Sequence, residues 1–576
     1  MKRFLIKLLS VIPVIIFFVF LKAKAGTGPD FSRYSEWAEV FAGNDIFKLS
    51  SDSVSSLGYP VSQWSHGVGL LFSLPMLFFH SLDVNSSAFS AGFILVIVFW
   101  LNMTGIFNLL LEGNKKWTIF GLLLLFTGTH AGFYSSSYAS EVVLLAFISS
   151  LIYLSMLILG KGTKPHYMLG LAAVLGLMIV SRLQIIIYAL FPLAVLCIHI
   201  RKKFRQHDFN LKLLPVFPFV VLLSVGQIVL TNYWMTGSYF SSPWVFGSGE
   251  FRSLDFFRPE ILSVLFHPWH GLLVYHPLYG LAIAVLIYES CKKKPLINTA
   301  ILFSLILISA LHIYLHASWY VWWLGTGTFG MRGLSTFSVI LVPFFLRIIY
   351  LRRKNIILKN FMIFSALVFS LWSYFLLVQG ETNYFDIKPL LISQLKTYLE
   401  FVKINYLWLV GLLGLFLLTL KLRMLKTADM FLYFVICILA TVTFIFLIYT
   451  PGIEIPIPAL ILGGTGILTM IFLINSERTI EKNKFNPANT WDSILIFIVV
   501  STYILSNFVF YKFVFSSDML KPNLNKNART SVHPINIEEV VESYHEYQNV
   551  RGYEKKKDSL KKYLLKIDPG LIEQRL

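Results

Sequence analysis

Apolar runs long enough to cross a membrane recur along nearly the whole chain, and this pattern restricts the fold more than any motif. Each run has roughly 17 to 22 residues, and a helix of about 20 residues spans the ~30 Å hydrocarbon core of a bilayer. A barrel would show short strands that alternate apolar and polar residues. Of the 576 residues, 56% are hydrophobic and 14% charged, which is too apolar for one soluble core. The pattern predicts an all-α polytopic membrane protein.

The net charge of +19 is confined to short loops, which argues against a nucleic-acid partner. If these basic loops face the cytoplasm, the chain has about 13 to 15 transmembrane helices, an inner N-terminus and an outer tail. The segments at 167–181 and 184–200 are either two of these spans or one broken helix. The basic clusters are Lys2-Arg3, Lys115-Lys116, Lys161–Lys164, Arg201–Arg205, Lys292–Lys294, Arg352–Lys354, Lys421–Lys426 and Arg478–Lys484.

The N-terminus has two interpretations. The basic start, the apolar stretch from Leu8 to Leu21 and the small residues Ala23 and Ala25 are typical of a cleavable signal peptide. Lys22 and Lys24 flank that site and favour an uncleaved first span, which also agrees with an inner N-terminus.

Outer loops in this topology are long and rich in polar and aromatic residues, so we expect the working side to be the outer side. In the first loop, Tyr34, Trp37, Ala38 and Phe41 share one stripe of an amphipathic helix, which suits a helix lying in the membrane interface. The predicted organisation is a transmembrane module over 1–350 with outer loops 22–86, 231–270 and 316–335, additional transmembrane helices over 351–511, and a short extracytoplasmic tail over 512–576.

Several segments in the first 350 residues occur in a familiar order. After an Asp-containing loop come YPVSQWSHGVGLLFSLP (Tyr59–Pro75), GLMIVSRL (Gly176–Leu183), HPWHGLLVYHPLYGLA (His267–Ala282) and WYVWWLGTGTFGMRGLS (Trp319–Ser335). This order resembles bacterial GT-C glycosyltransferases, in the branch with protein O-mannosyltransferases and lipid A aminoarabinose transferases. The resemblance implies a GT-C-like catalytic module. It would move a sugar from a polyprenyl-phosphate donor to a lipid, glycan or protein acceptor at the outer face of the inner membrane.

Two carboxylates are candidate catalytic residues. Asp30 occupies the place where the resemblance implies a base or a metal partner, although Asp is also a favoured residue for capping a helix that starts near Phe31. Glu141 stands where an outer loop enters the fourth span, and ionisable residues at membrane spans are functional by default. Its alternative role is to stabilise the helix N-terminus by its negative charge.

Two arginines are candidate ligands of the donor phosphate. Arg182 interrupts an apolar stretch, where inserting an Arg costs about 2.5 to 3.5 kcal/mol, and a guanidinium can bind a phosphate with two hydrogen bonds. Its alternatives are a bridge to Glu141 or a side chain that reaches out to the interface. Arg332 follows glycines that permit close backbone approach, as the glycine-rich pattern of the family implies.

Histidines and tryptophans supply further candidates. The resemblance implies a divalent metal ion in some family members, and His66, His267 and His270 are the candidate ligands because imidazole commonly binds metals. Trp319 and Trp322 are candidates for stacking on the sugar or the prenyl chain, or they belong to an ordinary aromatic belt.

Two other functions fit part of the pattern. A flippase or transporter of lipid-linked oligosaccharides would also have many spans and buried arginines, with polar residues at mid-depth. A polysaccharide polymerase would have large outer loops with several arginines, such as Arg252, Arg258 and Arg332. A nucleotide-binding motif for ATP-driven transport is not found in the sequence.

Overall fold

The structure is a computed structural model, and the part of the chain it describes is helical. The described residues are 29–42, 65–79, 82–135, 140–205, 215–236, 238–239, 254, 256–266, 271–319, 330–353, 356–378 and 487–516. Within them the β-structure is limited to an isolated antiparallel bridge between Leu254 and Trp319. The predicted all-α class is confirmed for this part of the chain.

The helices follow in chain order. They are α1 (Pro29–Phe41), α2 (His66–Phe78), α3 (Val84–Leu110), α4 (Lys115–Gly128), α5 (His130–Tyr134), α6 (Ser140–Lys161), α7 (Pro165–Ser181), α8 (Leu190–Arg205), α9 (Val216–Thr236), α10 (Ile261–Phe266), α11 (Leu272–Tyr275), α12 (Pro277–Ser290), α13 (Thr299–Ala317), α14 (Phe337–Leu351), α15 (Ile356–Val378) and α16 (Pro487–Ser516). Short 3₁₀-helices occupy Leu183–Ala189 and Arg332–Leu334.

Within the described ranges, 6 stretches are long and apolar enough to cross a membrane. They are Val84–Leu110, Ser140–Lys161, Leu183–Arg201, Val216–Thr236, Thr299–Ala317 and Ile494–Lys512. The helices α2, α7, α12 and α14 are apolar but shorter. A multi-pass membrane protein follows from these lengths and compositions. The predicted total of about 13 to 15 spans includes residues outside the described part and stays a prediction.

Helix packing brings the basic loops of the described part to one end of the assembly. The helices α3 and α6 run parallel, since Asn102 Nδ2 donates to Ser150 Oγ over 2.8 Å and Gly105 faces the ring of Tyr153. At their C-terminal end, Arg347 of α14 pairs with Glu112 over 3.0 Å. We call this the basic end, and the other end of these helices the opposite end.

The segments at 167–181 and 184–200 form two helical segments joined by a sharp reversal, not one broken helix. Helix α7 ends at Ser181, and Arg182 has an extended backbone (φ −163°, ψ 102°) before the 3₁₀-helix. Thr163, just before α7, contacts His199 near the end of α8 (Oγ1 to Nε2, 3.3 Å). Because the start of α7 lies beside the end of α8, the pair is a hairpin with Arg182 at its tip, at the opposite end.

The amphipathic stripe of α1 faces protein. Tyr34, Trp37, Ala38 and Phe41 are buried, and a Cβ on Gly69 of α2 would touch the backbone and side chains of α1. Trp37 also contacts Trp234 of α9 (ring centroids 5.8 Å apart). The helix was predicted, but its apolar face packs on neighbouring helices instead of entering lipid. An apolar stripe looks the same in sequence for either partner.

Buried polar side chains also meet between the helices. Asn102 of α3 bonds to Ser149 and Ser150 of α6. Gln227 of α9 donates to Asn507 of α16 over 2.8 Å, which joins α16 to the helices of the first half of the chain. Hydrogen bonds of this kind commonly hold transmembrane helices together.

Candidate functional site

An ion pair buried at the opposite end is the centre of the candidate site. Glu141 lies in the first turn of α6, and Arg332 begins the 3₁₀-helix that precedes α14. The distance from Arg332 Nε to Glu141 Oε1 is 3.5 Å; the Glu141 side chain is 0% exposed and that of Arg332 is 21% exposed. Neither carboxylate oxygen of Glu141 accepts a hydrogen bond within the described residues. The Arg332 charge is therefore the main compensation for a fully buried carboxylate.

Gly330 brings the chain past two histidines just before Arg332. Its φ of +62° is in the left-handed region that favours glycine. A Cβ at this position would lie 3.3 Å from Nε2 of both His130 and His276. Both the backbone conformation and the close approach require glycine here. This explains the last glycine before Arg332.

The two histidines are fully buried and lie side by side, with ring centroids 3.9 Å apart. His130 Nδ1 is 3.1 Å from the hydroxyl of Tyr279, and His276 Nδ1 donates to the carbonyl oxygen of Gly128 over 3.3 Å. Burial lowers the pKa of His276 from 6.5 to about 3. Burial first, and then the neighbouring His276, hold the pKa of His130 well below its ordinary value. Both rings are neutral at physiological pH, so they add no positive charge beside Arg332.

Arg182 lies at the same end of the assembly, at the tip of the α7–α8 hairpin. It is half-buried, and its backbone N–H closes α7 by donating to the carbonyl of Met178 over 2.9 Å. The sequence left a bridge between Arg182 and Glu141 as an alternative. Among the described residues, Glu141 pairs with Arg332 instead. Within the described part of the chain, the ion pairs do not include Arg182.

Asp30 lies inside the first turn of α1, because the helix begins at Pro29. The capping alternative required Asp30 to precede the helix, and it does not. The helix packs on the first turns of α2, and Ser65, just before α2, donates to the carbonyl of Ser181. This contact places the start of α2 beside Arg182. The Asp30 side chain is outside the described part, so its catalytic role stays a prediction.

His66 does not fit the predicted metal site. Its Nε2 is 3.3 Å from Gln227 Oε1 and its Nδ1 is 3.3 Å from Thr231 Oγ1. The ring is buried among Trp37, Phe41 and Phe510. With both nitrogens engaged, no lone pair is directed at a metal. Across the described ranges, no group of three or more His, Cys, Asp or Glu is arranged to hold a metal ion.

The remaining predicted residues are divided by the limits of the described part. His267, His270 and Trp322 lie outside it, so a metal ligand role for these histidines and a stacking role for Trp322 stay predictions. Trp319 is half-buried and pairs with Leu254 in the antiparallel bridge. Its ring also makes an edge contact with His316, with centroids 5.9 Å apart.

His130 was not among the residues that the sequence pointed to. It stands in GTHAGFY, just after an apolar span, and nothing in its own segment marks it. The only available signal was an isolated ionisable residue at the end of an apolar run. Its position beside Gly330 depends on the packing of α4, α12 and the turn at Gly330.

Comparisons with known proteins add little to this geometry. No family model matches the chain, and no curated protein matches it. Among solved structures, the chain is similar to the crystal structure of ArnT from Cupriavidus metallidurans bound to undecaprenyl phosphate, with 12% sequence identity and a TM-score of 0.37. The alignment covers 89% of this chain and 77% of that chain. A likeness this distant leaves the function to be argued from the side chains.

Proposed function

We propose that this protein is a membrane glycosyltransferase of the GT-C type. It would move a sugar from a polyprenyl-phosphate donor to a lipid, glycan or protein acceptor at the outer face of the inner membrane. The observation that carries the proposal is the buried Glu141 carboxylate paired with the partly exposed Arg332 guanidinium at the opposite end. Nucleotides are absent outside the cytoplasm, so a lipid-linked donor suits chemistry at that face.

The proposed reaction needs two kinds of group. The acceptor nucleophile attacks the anomeric carbon of the sugar, its proton passes to a carboxylate, and the polyprenyl phosphate leaves with the electrons of the broken bond. Asp30 is the proposed base. Arg332 and Arg182 would stabilise the negative charge that develops on the departing phosphate.

Glu141 has a different part in this proposal. Its carboxylate is fully buried, and its distance from Arg332 Nε is 3.5 Å. We assign Glu141 to orienting the guanidinium group of Arg332 toward the donor phosphate. No step of the reaction is assigned to a metal ion, because both ring nitrogens of His66 are engaged and the ligand role of His267 and His270 stays a prediction.

One observation favours transport as the second candidate. Buried polar groups lie inside spanning helices, at Asn102 in α3 and Gln227 in α9, and a transporter would need polar groups between its spans. Their hydrogen bonds to neighbouring helices give them a structural role that is sufficient without a substrate. Transfer of label is therefore the property to test.

Replacing Asp30 by asparagine is expected to abolish transfer, because asparagine cannot take the acceptor proton. The measurement is transfer of radiolabel from a panel of polyprenyl-phosphate sugars into membrane extract at matched expression. The control is Asp83→Asn, since Asp83 is an exposed carboxylate that caps α3. Equal transfer by wild type and Asp30→Asn would remove Asp30 from the mechanism. Absence of transfer from every donor would favour transport.

A further inference from the structure

A buried hydrogen-bonded chain connects the segments that carry the two arginines. The hydroxyl of Tyr188 is 2.6 Å from Thr336 Oγ1 and 3.1 Å from His312 Nδ1. Tyr188 and Thr336 are 0% exposed and His312 is 2% exposed. The three side chains come from the 3₁₀-helix after α7, the residue before α14, and α13. One tyrosine hydroxyl therefore joins three elements at the opposite end.

Tyr188 and Thr336 each lie a few residues after a candidate phosphate ligand. Tyr188 lies in the 3₁₀-helix that begins directly after Arg182. Thr336 follows the 3₁₀-helix that begins at Arg332, whose carbonyl accepts from the backbone of Ser335 over 3.0 Å. Each arginine is thus connected to one of the two bonded hydroxyls through a short 3₁₀ segment.

Helix α13 supports the same arrangement from the side. His312 Nδ1 is 3.1 Å from the hydroxyl of Tyr188, which lies in the 3₁₀-helix directly after Arg182. One turn later, His316 contacts Met331 (Nε2 to Sδ, 3.0 Å) and fills the space that a Cβ on Gly333 would need. His312 and His316 are thus placed against the two arginine-bearing segments.

We infer that Tyr188, bonded to Thr336 and His312, is a positioning residue that fixes the distance between Arg182 and Arg332 so that both can bind one donor phosphate. The inference rests on the proposed function and adds a residue to the same site. A buried hydroxyl with two hydrogen bonds is suited to this because removing it leaves both partners unsatisfied. The phosphate would then bind to a pair of guanidinium groups that is held ready in advance.

The test is binding of a radiolabelled long-chain polyprenyl monophosphate to the purified full-length protein in detergent. We expect Tyr188→Phe to weaken binding about five- to ten-fold, the effect of losing one well-made buried hydrogen bond. Thr336→Val should weaken it similarly, whereas Thr336→Ser, which keeps the hydroxyl, should bind as wild type does. The effects of Tyr188→Phe and Thr336→Val should not add in the double variant.

The matched control is Tyr503→Phe. Tyr503 is also a buried tyrosine whose hydroxyl joins helices, bonding to Ser224 Oγ over 3.2 Å and to the carbonyl of Val220 over 3.1 Å. It should leave binding unchanged even if it lowers the melting temperature as much as Tyr188→Phe does. Where transfer is measurable, Tyr188→Phe should raise KM for the donor and change kcat less than two-fold or so.

The outcomes separate this inference from the proposed function. If Arg182→Gln and Arg332→Gln weaken binding but Tyr188→Phe does not, or does so no more than Tyr503→Phe, the positioning role is wrong and the phosphate site stands. If neither arginine variant weakens binding, or wild type does not bind, the phosphate site itself is wrong and the positioning role with it.

Discussion

Replacing Arg332 by glutamine is expected to lower sugar transfer by about 10²- to 10³-fold, the usual effect of removing one group that stabilises developing charge in a transition state. The reason is the position of Arg332, which is 21% exposed at the opposite end and paired with the fully buried Glu141. Glu141→Gln should lower transfer by a smaller factor because the guanidinium remains but is no longer oriented by a charge. The double variant should be little worse than Arg332→Gln alone.

The control for this prediction is a similar ion pair at the basic end. Arg347 is 23% exposed and lies 3.0 Å from Glu112, so Arg347→Gln makes the same chemical change in a pair far from the proposed site. It should transfer within about two-fold of wild type, since exposed pairs contribute about 0–1 kcal/mol to stability. Equal losses in Arg332→Gln and Arg347→Gln would show that transfer responds to general damage.

Removing the Glu289 side chain is expected to have the largest effect on stability. Glu289 is buried near the end of α12 and accepts from Arg352 Nη2 over 2.7 Å, from Lys292 Nζ over 3.1 Å and from the backbone N–H of Leu296 over 2.6 Å. Glu289→Ala leaves these donors without an acceptor. We expect a loss of about 2 to 4 kcal/mol in the free energy of unfolding.

Thermal unfolding in detergent measures this loss, and Glu112→Ala is the matched control. Glu112 also accepts from an arginine at the basic end, but its side chain is 51% exposed, so its removal should cost less than about 1 kcal/mol. Phosphate binding by folded Glu289→Ala should remain that of wild type. Equal destabilisation by the two variants would mean that burial does not determine the strength of these interactions.

The helical class was predictable because apolar runs report directly on membrane-length helices. The hairpin at Arg182 was one of two alternatives, and the contact between Thr163 and His199 decides it. The face that α1 presents to its neighbours was not predictable. An apolar stripe has the same spacing against lipid and against protein, and the contacts with Gly69 and Trp234 distinguish the two.

The candidate site was partly predictable. Glu141 was marked by a charge at the start of a membrane span, which is costly without compensation, and Arg332 by the glycines that precede it. That they pair with each other depends on how α6 and the segment before α14 pack, which sequence spacing does not encode. The neutral residues Tyr188 and Thr336 carried no such cost in sequence. Their hydroxyls meet through tertiary contacts alone, so sequence reasoning missed them.

The most direct test of the proposed function asks whether the sugar–phosphate bond is broken. Purified protein in liposomes would receive a polyprenyl-phosphate sugar labelled in both the sugar and the lipid, with membrane extract as the source of acceptor. The account predicts that wild type and Arg347→Gln release free polyprenyl phosphate and place the sugar label on an acceptor, while Arg332→Gln does neither. Movement of the doubly labelled lipid across the bilayer with its bond intact would contradict the account and indicate a transporter.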